Sequence, residues 1–349
     1  MPSRSPRRCG SIMWCGGSDP VGSGVMARRG VQAIVRLGLA ALFVASCWAA
    51  GVPPAEAQDM VLSNDEAHDF VLSLGRTLTD DYPFPDISAR YAEALERHLD
   101  NGEYYGRAPC ELGVRITADL QVVHPDKHLK VHCRADVNRT DRPISSGFQS
   151  VEVDSVHQTT YIQSNGSWDN DEYTYTAAFS VMQLAGRSRY IIIDLRDNVG
   201  GTGVIGRILA SYFFRPGEEQ FFMYGYPKDR SQGIQEWTFP YVPGHRSDKA
   251  KLYILVNKDT FSAAEGFAFG MRNLKRATII GQTTAGGGIA GMFVNFDGGK
   301  EAVFVPTKML VAPHTDKGWD GVGVVPDYVT AVGHEREKAM ELIEADQGR

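Results

Sequence analysis

Two short runs in this sequence combine residue types that can carry chemistry. Asp194-Leu195-Arg196-Asp197-Asn198-Val199-Gly200-Gly201 follows an apolar run at 190–195, and Asn257-Lys258-Asp259-Thr260-Phe261-Ser262-Ala263-Ala264-Glu265 follows another at 252–256. Each apolar run reads as a strand buried on both faces. Open α/β sheets place their sites at the carboxyl ends of such strands. In the second run a hydroxyl residue stands where a helix opens, so Ser262 would sit at the positive end of a helix dipole, where a developing oxyanion is favoured. The same spacing suits an N-cap serine with no further role, and Gly200-Gly201 suits a tight turn. On the residues alone both alternatives stay open. Three histidines, His124, His128 and His132, recur at intervals of four. That interval suits metal ligands on a helix, but Pro125 argues against the helix and no carboxylate partners are evident, so neither metal nor cofactor is expected. Glu265 is expected to face solvent or to join a sheet-edge ion pair, and Arg196 to hold its turn by bonding a carboxylate or carbonyl.

The elements that must position these residues are legible from periodicity. Ser63 and Glu66 have capping-box spacing, and Ala67, Phe70, Val71, Leu74 and Leu78 follow at helical intervals. Pro83 and Pro85 break that helix. A second helix runs from a cap at Asp86 through Tyr91, Leu95 and Leu99, and a third spans 112–123. From about 145 the pattern changes to strands at 148–153 and 159–162, a helix at 176–185, the strand at 190–195, and a helix at 203–213. The strand at 252–256, a helix at 262–274 and a strand at 277–280 complete the alternation. Strands alternating with helices predict an α/β domain with a largely parallel sheet. Residues 293–296 and 302–305 read as a hairpin through Asp297-Gly298-Gly299. The stretch 217–245 has no clear pattern and reads as a flap or irregular excursion.

Charge divides the chain. Residues 1–57 carry a net +4, while the other 292 carry −10 out of a formal total of −6. An acidic body argues against nucleic-acid binding, and 43% hydrophobic with 10% aromatic residues excludes a disordered chain. The basic leader has the layout of a secretory signal peptide: Arg28, Arg29 and Arg36, an apolar run at 37–50, and a small-x-small site at Ala55-Glu56-Ala57. Met26 is an alternative translation start. Val44-Ala45-Ser46-Cys47 is a competing lipobox that would make Cys47 a lipid anchor. An uncleaved leader acting as a membrane tether is a third reading, and all three imply an exported body, in the periplasm or outside the cell. Of five cysteines only Cys110 and Cys133 lie in the body, and a bridge and two buried thiols are both open readings. The expected division is a leader at 1–57, a helical domain at 58–142, an α/β domain at 143–335, and a C-terminal helix or tail at 336–349.

Taken in order, four motifs resemble the tail-specific (C-terminal-processing) serine proteases: Asp194-Leu195-Arg196-x-Asn198-x-Gly200-Gly201, Thr260-Phe261-Ser262-Ala263-Ala264-Glu265, Gly281-Gln282-Thr283-Thr284-Ala285-Gly286-Gly287, and Trp319-Asp320-Gly321-Val322-Gly323-Val324-Val325-Pro326-Asp327. The helical N-terminal part and Thr117-Ala118-Asp119-Leu120 with Asp126-Lys127-His128-Leu129 are similar to the branch holding the interphotoreceptor retinoid-binding proteins and their bacterial relatives. The resemblance covers roughly 62–330. It implies a core similar to that of crotonases and Clp protease, Ser262 as nucleophile, and an oxyanion hole of backbone N–H groups from Gly200, Gly201 and Ala263. Many members activate the serine with a lysine in a Gly-x-x-Thr-x-Gly-Lys-Gly segment. The corresponding positions here are Gly286, Gly287 and Gly288, and no lysine occurs between Arg276 and Lys300. The tricorn-like branch uses a histidine oriented by a serine and a glutamate. His128 matches that histidine, Asp320 falls where the glutamate stands, and Lys127 replaces the serine.

The resemblance therefore implies an exported serine-type peptidase in which His128 is the base and Asp320 its orienter. There is no obvious room for a PDZ-type domain, which points to short or unfolded peptides as substrates. The competing reading is a retinoid- or fatty-acid-binding protein on the same fold, with Phe261, Phe267, Phe269 and Met271 lining its pocket or, at that helical spacing, simply forming core.

Overall fold

The computed structural model describes residues 61–133, 146–296 and 301–348, which belong to one compact unit. The cleavage site at Ala55-Glu56-Ala57, the start at Met26, the Cys47 anchor and the connection through 297–299 lie outside the described residues. Among the described residues no helix is long and apolar enough to cross a membrane.

Three helices open the unit: α1 (Asn64–Asp81), α2 (Pro85–Asp100) and α3 (Pro109–Val123). Ser63 starts α1 with the expected capping box. Its Oγ accepts the Glu66 N–H at 3.2 Å and its own N–H donates to Glu66 Oε2 at 2.8 Å. Pro85 does not only end the first helix. It occupies the first turn of the second, where a missing N–H costs nothing, so Asp86 lies inside α2 instead of capping it. The apolar stripes of the three helices close on a sheet. Leu74, Leu78, Leu95, Ile116 and Leu120 share one core with Val131, Phe296, Val303 and Val305.

That sheet has five antiparallel strands built around the long β12 (Glu301–Val311). One edge of β12 pairs with β11 (Ile289–Phe296). The other edge pairs with β1 (Lys130–Cys133) at its start and β7 (Phe221–Pro227) at its end, and β8 (Ile234–Trp237) lies beyond β7. The stretch 217–245 is thus not an irregular flap but supplies two strands. Its alternation is hidden because aromatic rings occupy both faces. Phe222 and Met223 are buried, while Phe221, Tyr224 and Tyr226 meet one another ring to ring.

The second sheet has six strands in the order β13 (Tyr328–Val329), β10 (Ala277–Gly281), β9 (Lys251–Val256), β5 (Tyr190–Asp194), β3 (Thr159–Gln163) and β2 (Ser150–Asp154). All neighbours are parallel except the β2–β3 hairpin. Helices α4 (Glu172–Ala185), α5 (Gly203–Ser211) and α6 (Ala263–Asn273) cover one face, and Ala339 and Ile343 of α7 (Glu335–Gln347) cover the other. Ile191, Ile192 and Ile193 are fully buried because both faces are covered. Each contributes about 1.5–3 kcal/mol by leaving water. This is the expected α/β class with helices at its N-terminal side. A short parallel pair, β4 (Gly166–Trp168) and β6 (Asn198–Gly201), stands apart from both sheets.

Cys110 and Cys133 form a disulfide across 23 residues, joining the first turn of α3 to the end of β1. A closed loop of that size is worth about 3 kcal/mol. Replacing both cysteines by alanine is expected to lower the unfolding free energy by that amount in urea titrations. Coincident curves for the two proteins would show that the bridge constrains nothing.

Candidate active site

The register of the parallel sheet brings the two chemistry-bearing loops together. Asp194 on β5 pairs with Leu255 on β9, so both strands end side by side. The loops are then stitched. Phe261 N–H donates to the Asn198 carbonyl at 2.9 Å, Thr260 Oγ1 to the Leu195 carbonyl at 2.8 Å, and Asn257 Nδ2 to Asp197 Oδ1 at 2.8 Å. Gly200, at φ 89°, passes so close that a Cβ there would lie 2.6 Å from Ser262 Cβ. Only glycine fits this approach.

Ser262 stands at the start of α6 but does not cap it. Its φ of 53° with ψ of −121° is far from the extended conformation of an N-cap serine, and its side chain makes no capping bond. A non-glycine residue in this region costs on the order of 1–3 kcal/mol, and such strain clusters at functional sites. Its Oγ instead meets His128 Nε2 at 3.0 Å, across 134 residues of sequence.

His128 is delivered by the helical segment. Asp126, 5% exposed, accepts the His128 N–H at 2.8 Å and the Leu129 N–H at 3.3 Å through Oδ1, and the Tyr82 hydroxyl at 2.9 Å through Oδ2. Burial pushes the His128 imidazole below its ordinary value of 6.5, and the nearby Asp126 charge opposes that shift. Two phenylalanines stack with the ring, Phe261 at 4.5 Å and Phe304 at 5.3 Å between centroids, with interplanar angles of 28° to each. The other two histidines make different contacts, and the His124 charge acts on Asp320. The His132 ring meets Phe293, and the His124 carbonyl accepts the Tyr91 hydroxyl.

Asp320 does not do what its sequence position suggested. Its Oδ1 accepts the Gly288 N–H at 2.9 Å, while His128 Nδ1 is buried with no hydrogen-bond partner among the described residues. Burial raises the Asp320 carboxyl above the usual aspartate range. Trp319 Nε1 donates to the Gly287 carbonyl at 3.0 Å and Gly321 N–H to Gly286 at 2.9 Å. The Trp319–Gly321 turn therefore fastens the glycine loop at 286–288. It does not hold the imidazole.

The expected oxyanion donors divide. The Gly200 N–H is already given to Asn198 Oδ1 at 2.9 Å. Gly201 and Ala263 line the same cavity as Ser262, and Ala263 opens a helix, where N–H groups lack intrahelical partners. That cavity, about 500 Å³, runs from Ser262 and His128 to an apolar wall that includes Phe222, Met223, Phe267 and Leu310. Phe261 and Phe267 face it, whereas Met271 is core and Phe269 packs on Trp319. Arg196 holds its turn as expected, bonding Asp194 at 2.5 Å and Glu335 at 2.7 Å.

Glu265 is the residue that sequence reasoning misplaced. It is fully buried. Its oxygens accept the Ser262 N–H at 2.8 Å, the Thr284 hydroxyl at 2.5 Å, and the N–H groups of Gly286 and Gly287 at 2.6 and 2.7 Å. Its place three residues after Ser262 is the available signal, since that is capping-box spacing. Glu265→Gln would turn an NH2 group toward two of these donors. It is expected to cost about 3 kcal/mol of stability in denaturant titration, and an unchanged midpoint would refute the clamp.

Comparison with known proteins is consistent with these motifs. Residues 158–330 match the family model described as peptidase family S41, and residues 55–163 match the N-terminal domain of peptidase S41 in eukaryotic IRBP. The chloroplastic carboxyl-terminal-processing peptidase 2 of Arabidopsis thaliana is 30% identical over 185 residues, covering 52% of this chain and 33% of its own length. The carboxyl-terminal-processing protease of Picosynechococcus sp. is 28% identical over 224 residues, covering 60% of this chain and 51% of its own. The chain thus spans a third to a half of these relatives. The solved structure of the photosystem II D1 C-terminal processing protease superposes with a TM-score of 0.54 at 14% identity, covering 82% of this chain and 98% of that one, which is a likeness of fold. Two models of one family lie end to end over residues 55–330, and the chain belongs to peptidase family S41.

Proposed function

We propose that this protein is an exported serine-type peptidase that cleaves short or unfolded peptides, with Ser262 as nucleophile and His128 as general base. The observation that carries the reading is the 3.0 Å approach of His128 Nε2 to Ser262 Oγ. A hydroxyl within hydrogen-bond reach of an imidazole is the arrangement that activates a serine. In the first step Oγ bonds to the scissile carbonyl carbon, its proton passes to His128 Nε2, and the carbonyl electron pair moves onto oxygen. Ala263 and Gly201 line the same cavity, and their N–H groups are the proposed receivers of that charge; losing one such donor typically costs ~10²–10³ in rate. In the second, the carbon–nitrogen bond breaks and Nε2 returns its proton to the leaving amine. Water then attacks the acyl carbon, giving its proton to the same Nε2, and the bond from that carbon to Oγ breaks as Nε2 returns the proton to Ser262. The apolar wall beside Ser262 supports an apolar side chain next to the scissile bond. The relatives' names carry carboxyl-terminal processing, and whether this chain selects chain ends is part of the same proposal.

The cavity wall also carries Arg207, Glu236 and Lys308, but its apolar part, Phe222, Met223, Phe267 and Leu310, supports a second reading, a site that holds a retinoid or fatty acid without cleaving anything. A fluorophosphonate probe separates the two. Wild type is expected to label, while Ser262→Ala and His128→Ala lose labelling by at least ~10²-fold. Equal labelling of Ser262→Ala would remove it as nucleophile, and tight retinol binding without labelling would favour the second reading.

The direction of the His128 shift gives a pH test. A base with a lowered pKa stays neutral down to that lowered value, so reactivity should persist below pH 6.5 and fail only as pH falls further. An acid limb at or above 6.5 in the labelling rate would contradict this.

A further inference from the structure

We infer that Phe304 is a positioning residue for the base, and that ring stacking does for His128 what a carboxylate does in a Ser-His-Asp arrangement. The inference rests on the reading of His128 as the base. An imidazole that must pass a proton needs its ring plane fixed so that Nε2 stays aimed at Oγ. Here two rings stack with it, Phe261 at 4.5 Å and Phe304 at 5.3 Å between centroids, each 28° from parallel.

The clamp is built into the fold from two directions. Phe261 is the neighbour of Ser262, so one jaw moves with the nucleophile. Phe304 sits on β12, directly opposite Lys130 of β1, the strand that begins two residues after His128. Phe293 of β11, the cross-strand partner of Phe304, braces it edge-on at 5.3 Å. The other jaw is therefore fixed by the sheet that also fixes the chain carrying His128.

The polar groups around the ring are bonded elsewhere. Asp126 holds backbone N–H groups and Tyr82, Lys127 Nζ donates to the Ala285 carbonyl, Asp320 takes Gly288, and Glu265 takes Ser262 and the 284–287 segment. His132, on the adjoining strand, rests its ring on Phe293. Two aromatic faces also keep water from the ring, which favours the neutral form that a base requires.

The test compares Phe304→Leu, Phe304→Tyr and Asp320→Asn with wild type. It uses fluorophosphonate inactivation across pH, together with an NMR titration of the His128 ring assigned by its loss in His128→Ala. Phe304→Leu is expected to lower the maximal inactivation rate roughly tenfold, the scale of an aromatic pair, with little change in probe affinity. The His128 pKa and the acid limb should both move up toward the ordinary value. Phe304→Tyr, which keeps the ring, should behave as wild type, and Asp320→Asn should leave the His128 titration in place. The inference is overturned if Phe304→Leu leaves both rate and titration unchanged. It is equally overturned if Phe304→Leu alters probe affinity alone, or if Asp320→Asn shifts the titration while Phe304→Leu does not. Wild type that never labels would defeat the peptidase reading instead, and the NMR titration would still decide whether Phe304 controls the imidazole.

Discussion

Glu265 has no surface in contact with solvent, yet four donors converge on it: the N–H of Ser262, the hydroxyl of Thr284, and the N–H groups of Gly286 and Gly287. A buried polar group is tolerated only when its bonds are complete, and when complete it specifies geometry strongly. Here one side chain sets the distance between the start of α6 and the glycine loop. Thr284 extends the tie by accepting the Val324 N–H at 2.7 Å, and Asp320 and Trp319 fasten the far side of the loop. The strained Ser262 backbone is tenable because its neighbours on every side are fixed in this way.

The second dependence crosses the chain. His128 is not on the α/β core that carries Ser262. It reaches the serine because Tyr82, which caps the end of α1, bonds Asp126, α3 supplies Gln121 to the Leu129 carbonyl, and β1 is zipped to β12. The helices at the N-terminal side are thus part of the site's support, and their core is shared with the five-stranded sheet instead of being closed on itself.

Much of this was legible. The buried strands at 190–195 and 252–256 announce themselves as apolar runs, and a parallel sheet follows from their alternation with helices. Ser262 and His128 were named from motifs, and the structure sets them 3.0 Å apart. What was hidden has identifiable causes. Strand β7 carries aromatics on both faces, so no two-residue period shows there, and β8 is only four residues long. Glu265 looks like an ordinary helical glutamate because three of its four donors, at Ser262, Gly286 and Gly287, are backbone N–H groups, which leave no mark in side-chain identity. Asp320 matched a position but not a bond, since the loop glycine that takes its oxygen is likewise silent in sequence. The Phe261 and Phe304 stacking depends on cross-strand register, and register between strands 170 residues apart cannot be read from periodicity.

Gly287 carries a consequence for how the site's chemistry could change over evolution. A Cβ there would fall 2.2 Å from the Phe261 ring and 2.7 Å from His128 Cε1. In the proteases this sequence resembles, the lysine base belongs to this same three-glycine segment. Here that volume is already taken by the imidazole and its aromatic neighbour. On the proposed reading of His128 as base, a side chain at 287 and the present seat of the imidazole exclude each other, so a change of base would have to displace the ring as well as add the lysine.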